Sequence, residues 1–140
     1  GRQVLYLLPE IALTSQLIGR LQDYFGNKIT VYHSKYSVNE RVEAWKNVLQ
    51  RSEKAQIVIG ARSSLFLPFS DLGLVVVDEE HENSFKQFAP APSYHARDAA
   101  LVLATLHGAN CLLGSATPSL ESMENVKKEK YGYARIQHRF

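Results

Sequence analysis

Five short apolar runs, each leaving into a polar or glycine-bearing turn, set the frame of this chain. They occupy residues 4–8, 29–33, 56–60, 72–77 and 109–114. Runs that short, apolar on both faces and alternating with helical patterns, describe a parallel sheet with helices on both faces. The helical segments carry their own signals. Leu13, Leu17, Leu21 and Phe25 recur every four residues over 11–25, and Gly26-Asn27 stops that helix. Ser37 with Glu40 three residues on is a capping-box pattern. The helix it opens carries Val42, Trp45 and Leu49 to about Ser52, with Trp45 expected in the core. A further helix is expected from about Tyr94 to Leu106. Another starts at Pro118, with Thr117 as its N-cap. Residues 131–136 read as a last strand.

Length and composition narrow the class. The 140 residues, 45% hydrophobic and 21% charged, suffice for one α/β domain over 1–140 with a hydrophobic core. The net charge of +2 implies no partner by itself. A single cysteine, Cys111, excludes an internal disulfide and a multi-cysteine zinc site. The longest apolar stretch, 72–77, is far too short to cross a bilayer, and no secretory signal is present; a cytoplasmic protein is expected. The chain opens at Gly1, runs almost at once into a strand, and has Met123 as its only methionine. A piece of a longer protein is expected. His33, His107 and His138 have no clustered partners and are assigned no role.

In open α/β sheets ligands collect at the carboxyl ends of the strands. The residues there are Pro9-Glu10, His33-Ser34, Gly60-Ala61-Arg62-Ser63, Asp78-Glu79-Glu80-His81 and Gly114-Ser115-Ala116-Thr117. Consecutive carboxylates after a buried strand repel one another, so a cation is the natural compensation. Mg²⁺ bound to a nucleotide takes one or two carboxylates plus phosphate oxygens. Asp78 then holds the metal, Glu79 activates the attacking water, and His81 senses the nucleotide state. The competing reading is a solvated acidic turn. Ser115 and Thr117 offer hydroxyls to those carboxylates or to a neighbouring turn; the competing reading is an ordinary helix start.

The motifs Pro9-Glu10-Ile11-Ala12-Leu13-Thr14, Gly60-Ala61-Arg62-Ser63-Ser64-Leu65-Phe66, Asp78-Glu79-Glu80-His81, Tyr94-His95-Ala96-Arg97-Asp98 and Gly114-Ser115-Ala116-Thr117-Pro118 occur in that order along nearly the whole chain. Together they resemble the first motor domain of superfamily-two helicases, and within them the bacterial replication-restart helicases. The resemblance implies a RecA-like P-loop NTPase domain, ATP and Mg as cofactors, and 3′-to-5′ movement on forked or single-stranded DNA. It implies primosome and single-strand-binding proteins as partners, and no membrane. Pro9, Glu10, Thr14, Arg62 and Ser63 would touch the DNA backbone; for Arg62 a surface salt bridge competes. Phe85, Lys86 and Phe88 lie in what resembles an aromatic-rich loop for stacking on unpaired bases. Core positions compete for the two Phe residues. Ser115, Thr117 and Arg97 would couple the acidic turn to its neighbours, with a structural ion pair the other reading for Arg97.

The chain departs from that family in places. It contains no G-x-x-x-x-G-K-[ST] sequence, so the P-loop segment is lacking. The zinc-binding region of the family is expected downstream of this chain. The isolated chain is therefore expected neither to hydrolyse ATP nor to unwind DNA. Ala61 replaces a usual threonine, and Ala89-Pro90-Ala91-Pro92-Ser93 a more polar stretch. Three alternatives stay open. One is a metal-dependent hydrolase using Asp78, Glu80, His81, Glu82 and His95. The others are a non-catalytic interaction module and the motor of another superfamily-two translocase.

Overall fold

The computed structural model describes residues 1–137. Among them, five parallel strands form one sheet: β1 (Gln3–Leu7), β2 (Ile29–Tyr32), β3 (Ile57–Gly60), β4 (Leu72–Asp78) and, after a small hairpin, β7 (Asn110–Gly114). Their order is β2-β3-β1-β4-β7. The hairpin pairs β5 (Lys86–Gln87) antiparallel with β6 (Tyr94–His95). The helices are α1 (Ser15–Phe25), α2 (Val38–Leu49), α3 (Ala96–Leu106) and α4 (Leu120–Lys127). No described helix is long and apolar enough to cross a membrane. The five apolar runs are thus the five sheet strands, shifted by a residue at some ends.

The two faces of the sheet are covered unequally. Leu5, Leu7, Val58, Val75 and Val77 share one face by register and are fully buried. Ala96, Ala100 and Ala104 of α3 belong to the same core cluster. Small residues at i, i+4 and i+8 let the helix axis come close to β4 and β7, and fill the space without polar atoms. On the other face only the β2–β3 side is closed, where Val31 and Ile59 are buried. Val4, Tyr6, Leu74 and Val76 there are half-buried, and Leu112 on the edge strand β7 is 58% exposed. Helix α1, which the right-handed crossover rule puts on this second face, has no buried residue.

Several local expectations are met and others corrected. The capping box is present: Ser37 Oγ accepts from Glu40 N, and a Glu40 carboxylate oxygen accepts from Ser37 N at 2.8 Å. The expected helix over 11–25 splits into a 3-10 turn, Glu10–Ala12, and α1, because Thr14 caps α1 by accepting from Leu17 N. Trp45 is not in the core; it is 44% exposed, and Val42 and Leu49 are each 46% exposed. Ala44 and Val48 face inward instead, and Gln3 Nε2 donates to Val48 O, which fixes the helix rotation. Ser119, not Thr117, caps α4, so Pro118 stands one residue before the cap. Residues 131–136 form no strand; they find no ladder partner among the described residues. His138 lies outside the described residues.

Register brings the strand exits to one rim. Leu7 stands opposite both Gly60 and Val77, Tyr32 opposite Gly60, and Asp78 opposite Gly114. The turns after all five strands therefore open on the same edge of the sheet.

Candidate functional site

Asp78 is the last residue of β4, on the face of Tyr6 and Val76. Its Oδ2 accepts from the Tyr6 hydroxyl at 2.8 Å and its Oδ1 from Glu79 N at 3.0 Å. Burial and the Asp78 carboxylate beside it push the Tyr6 phenol well above its ordinary value, so it remains a donor. A carboxylate has about four acceptor positions, which leaves Asp78 room for another contact. Opposite it, Gly114 presents no side chain; a Cβ there would stand 3.4 Å from Asp78 Oδ1.

Glu79 adopts a left-handed backbone, φ 51°, uncommon for a residue with a Cβ. Its side chain is 45% exposed at the rim, 3.5 Å from His81 Nδ1. His81 Nδ1 is also 2.6 Å from Ser115 Oγ, which accepts from Thr117 N at 3.0 Å. The acidic turn and the Ser115–Thr117 turn, 34 residues apart, are thus joined directly.

The neighbouring carboxylate behaves in the opposite way. Glu80 is 1% exposed. Its N–H donates to Gly114 O at 3.0 Å. Its Oε1 accepts from Ser119 N at 2.6 Å. Its Oε2 accepts from Ser119 Oγ at 2.9 Å, Ser122 Oγ at 3.0 Å and Arg97 Nη1 at 3.3 Å. Burial pushes the carboxyl up, and these donors outweigh it, leaving it below the ordinary carboxylate value. Arg97, also buried, donates to Ser119 Oγ and to Asp98. Arg97 does pair with the acidic turn, but through Glu80 rather than through Asp78 or Glu79. Position alone gave Glu80 no role beyond that of an alternative metal ligand. The available signal was a run of three carboxylates too close together to share one exposed turn.

The hydrolase alternative loses its ligand set. Glu80 is consumed by four donors, and no group of three or more His, Cys, Asp or Glu among the described residues could hold a metal. A nucleotide-borne Mg²⁺ needs less. One carboxylate at an open rim, facing a glycine, fits an ion that keeps waters and phosphate oxygens as its other ligands.

The remaining candidates lie along the same rim. Glu10 accepts from Ser34 Oγ at 2.5 Å, tying the first exit to the second. Pro9 precedes the 3-10 turn, and Thr14 spends its oxygen on the α1 cap while keeping its O–H free to donate. Gly60 is required by crowding: a Cβ there would overlap Ser64 Oγ and come within 2.5 Å of Tyr32 O. Ser64 is fully buried and donates to Tyr32 O, whereas Ser63 is exposed. Arg62 Nη1 donates to Ser84 O at 3.1 Å and Lys86 O at 3.0 Å, so its partners are carbonyls of the following loop and not a surface carboxylate.

In that loop the two Phe residues part company. Phe85 is 1% exposed and belongs to the core cluster. It cannot stack on a base, which corrects the expectation. Phe88 is 72% exposed, with Lys86 Nζ 4.8 Å from its ring centroid. Phe66, also exposed, meets the Tyr94 ring edge-on at 5.5 Å.

Comparison with known proteins agrees with this geometry. The DEAD/DEAH box helicase family profile matches residues 1–126. The chain is 49% identical over 130 residues to replication restart protein PriA of Synechocystis sp., covering 93% of this chain and 15% of that protein. It is 46% identical to PriA of Haemophilus influenzae and 40% to PriA of Bacillus subtilis, each over 139 residues, 99% of this chain, and 19% and 17% of those proteins. The chain thus spans less than a fifth of these relatives. Among solved structures, the C-terminal domain of S. cerevisiae Dbp5 bound to Gle1 and IP6 superposes with a TM-score of 0.59 at 9% identity, over 91% of this chain and 68% of that one. The C-terminal part of the Fun30 ATPase domain gives 0.53 at 13% identity, over 97% and 41%. These last two likenesses establish the RecA-like fold alone. Profile, relatives and sheet topology together place the chain in the DEAD/DEAH box helicase family.

Proposed function

We propose that this chain is part of the first motor domain of an ATP-driven, 3′-to-5′ DNA helicase that serves replication restart. One observation carries the reading: the Asp78–His81 turn lies at the carboxyl rim of the sheet and is tied through His81 and Ser115 to the Ser115–Thr117 turn. Identity of 40–49% to PriA proteins over nearly the whole chain supports the restart assignment.

In this reading Asp78 holds Mg²⁺ together with ATP. The ion, when bound, neutralises charge on the β- and γ-phosphates. Glu79, exposed at the rim, orients the water and takes its proton. His81 contacts both Glu79 and Ser115, so a change at the phosphates reaches the second turn through one side chain. The phosphate grip comes from outside this sequence, which has no P-loop motif; the isolated chain is inactive.

Single-stranded or forked DNA runs along the rim. Arg62, Ser63, Thr14 and Lys86 donate to phosphates, and Phe88 stacks on a base. Pro9 and Glu10 shape the first exit. Glu10 repels phosphate as a carboxylate, so any contact there falls to the backbone. Primosome proteins and single-strand-binding protein are the partners in this reading, in the cytoplasm.

Glu79→Gln in the full-length protein tests it. Nucleotide binding is retained, and turnover falls about 10²- to 10⁴-fold, the range for loss of a general base. Turnover at the unsubstituted rate would remove Glu79 from the mechanism.

A further inference from the structure

We propose that Glu80 is a positioning residue: its buried carboxylate clasps the acidic turn to the start of α4 and so holds Glu79 in its left-handed, rim-facing conformation. This rests on the motor reading of Glu79 given above.

The clasp closes on both sides of one residue. The Glu80 backbone N–H is bonded to Gly114 O, at the end of β7, and its carboxylate to Ser119 and Ser122, at the start of α4. The segment Ser115–Pro118 is therefore gripped at its two ends by a single side chain and its own amide. Arg97, from the first turn of α3, completes the ring by donating to both Glu80 and Ser119. Three elements meet at one carboxylate.

That grip explains an otherwise costly backbone. Glu79 has φ 51°, a conformation that a residue with a Cβ holds only where its surroundings over-determine it. The residue before it is fixed as the end of β4, and its carboxylate accepts from Glu79 N. The residue after it is fixed by Glu80. With both neighbours pinned, Glu79 has no freedom to relax, and its carboxylate projects to the rim beside His81. A general base must stay within hydrogen-bond reach of its water, and an ångström of misplacement costs about 10²-fold in rate.

Glu80 does not touch the reacting atoms, so its loss should appear in turnover and not in nucleotide binding. Glu80→Gln in the full-length protein keeps the volume but turns an amide N–H₂ toward either Ser119 N–H or the Arg97 guanidinium, neither of which can accept. We expect kcat for ATP to fall about 10²-fold with the Kd for a non-hydrolysable ATP analogue unchanged. Amide hydrogen exchange should quicken at Glu80 and Ser119, and not in β1. Ser122→Ala, which removes one donor and leaves the fold, should give the same pattern in smaller measure, with kcat down several-fold. If Glu80→Gln does not fold, Ser122→Ala carries the test. Unsubstituted kcat in whichever variant folds, or a loss of analogue binding equal to the loss of kcat, overturns the clasp. Glu79→Gln separates the two ideas. If it abolishes turnover while Glu80→Gln and Ser122→Ala turn over normally, the clasp alone is wrong. If Glu79→Gln turns over normally, the motor reading of Glu79 is wrong, and the amide exchange at Glu80 and Ser119 decides the clasp by itself.

Discussion

The acidic turn, 78–81, and the loop that follows it, 82–95, are contiguous in sequence and held by opposite means. The turn is held by polar bonds into three elements; Glu80 alone accepts from four donors. The loop is held by one fully buried apolar anchor, Phe85, by Tyr94 packed on the core at its far end, and by the guanidinium of Arg62 on two of its carbonyls. Its hairpin is only two residues per strand. Beyond the anchor, Gln87 reaches the carbonyls of Pro90 and Pro92, and Phe88 stands in solvent. Under the proposed function, the many-bonded turn suits the placement of a carboxylate and the sparsely held loop suits contact with a flexible polymer; the loop is tethered at its base to the strand exit where Arg62 sits.

The most severe way to break the contrast is to empty the turn's centre. Glu80→Ala leaves the buried Arg97 guanidinium with Asp98 and Ser119 but without its buried carboxylate, and takes a carboxylate acceptor from Ser119 and Ser122. Removing one member of a buried, hydrogen-bonded pair costs about 3–5 kcal/mol. Urea denaturation followed by circular dichroism measures it, and a cost under about 1 kcal/mol would show that water replaces the carboxylate freely. Phe85→Ala is the matching change in the loop. It opens a cavity in the core cluster at a cost of about 3–4 kcal/mol. The two losses should differ in reach. Amide exchange should quicken at β4, α3 and α4 together for Glu80→Ala, and chiefly in the loop for Phe85→Ala.

How far each region could be read from sequence follows the same division. The rim was legible, because strand exits are local features and five of them carried polar turns. The Ser37–Glu40 box was legible for the same reason. Glu80 was not, since its partners Ser119 and Ser122 lie 39 and 42 residues away and declare themselves only as serines near a helix start. Nor was the Tyr6–Asp78 bond, which spans 72 residues and needs the β1–β4 register to put both on one face. Phe85 and Phe88 are identical letters three residues apart; which one anchors depends on the core beneath the loop. Trp45 shows the limit of periodicity. Val42, Trp45 and Leu49 do form a stripe, but α2 is rotated so that Ala44 and Val48 face the sheet.

At the loop tip the expected effects move from stability to binding. Phe88→Ala should leave stability within about 0.5 kcal/mol, as surface substitutions do. It should weaken binding of single-stranded DNA to the full-length protein by about 1–3 kcal/mol, the worth of one stacked base. Lys86→Ala should instead flatten the salt dependence, lowering the slope of log K against log salt by about 0.7, the value for one phosphate contact on a single strand. Fluorescence anisotropy across a salt series reads both. Equal slopes for Lys86→Ala and the unsubstituted protein would place Lys86 off the DNA track.

The smallest effect lies where the two regions meet, at His95. Its Nδ1 accepts from Arg97 N and caps α3, at the end of the loop and two residues before the Arg97 of the clasp. Burial lowers its pKa, and the adjacent Arg97 lowers it further, against the opposing charges of Asp98, Glu121 and Glu80. The folded chain therefore binds this proton less readily than the unfolded chain, in which histidine titrates near ~6.5. The contribution is fully present above that value. It is lost as pH falls below it, because the unfolded chain gains the proton first. His95→Asn keeps an acceptor at the cap but removes the titration. Urea midpoints between pH 7.5 and 5.5 should fall less steeply for His95→Asn than for the unsubstituted chain. Parallel curves would mean that the cap proton is as accessible in the fold as out of it.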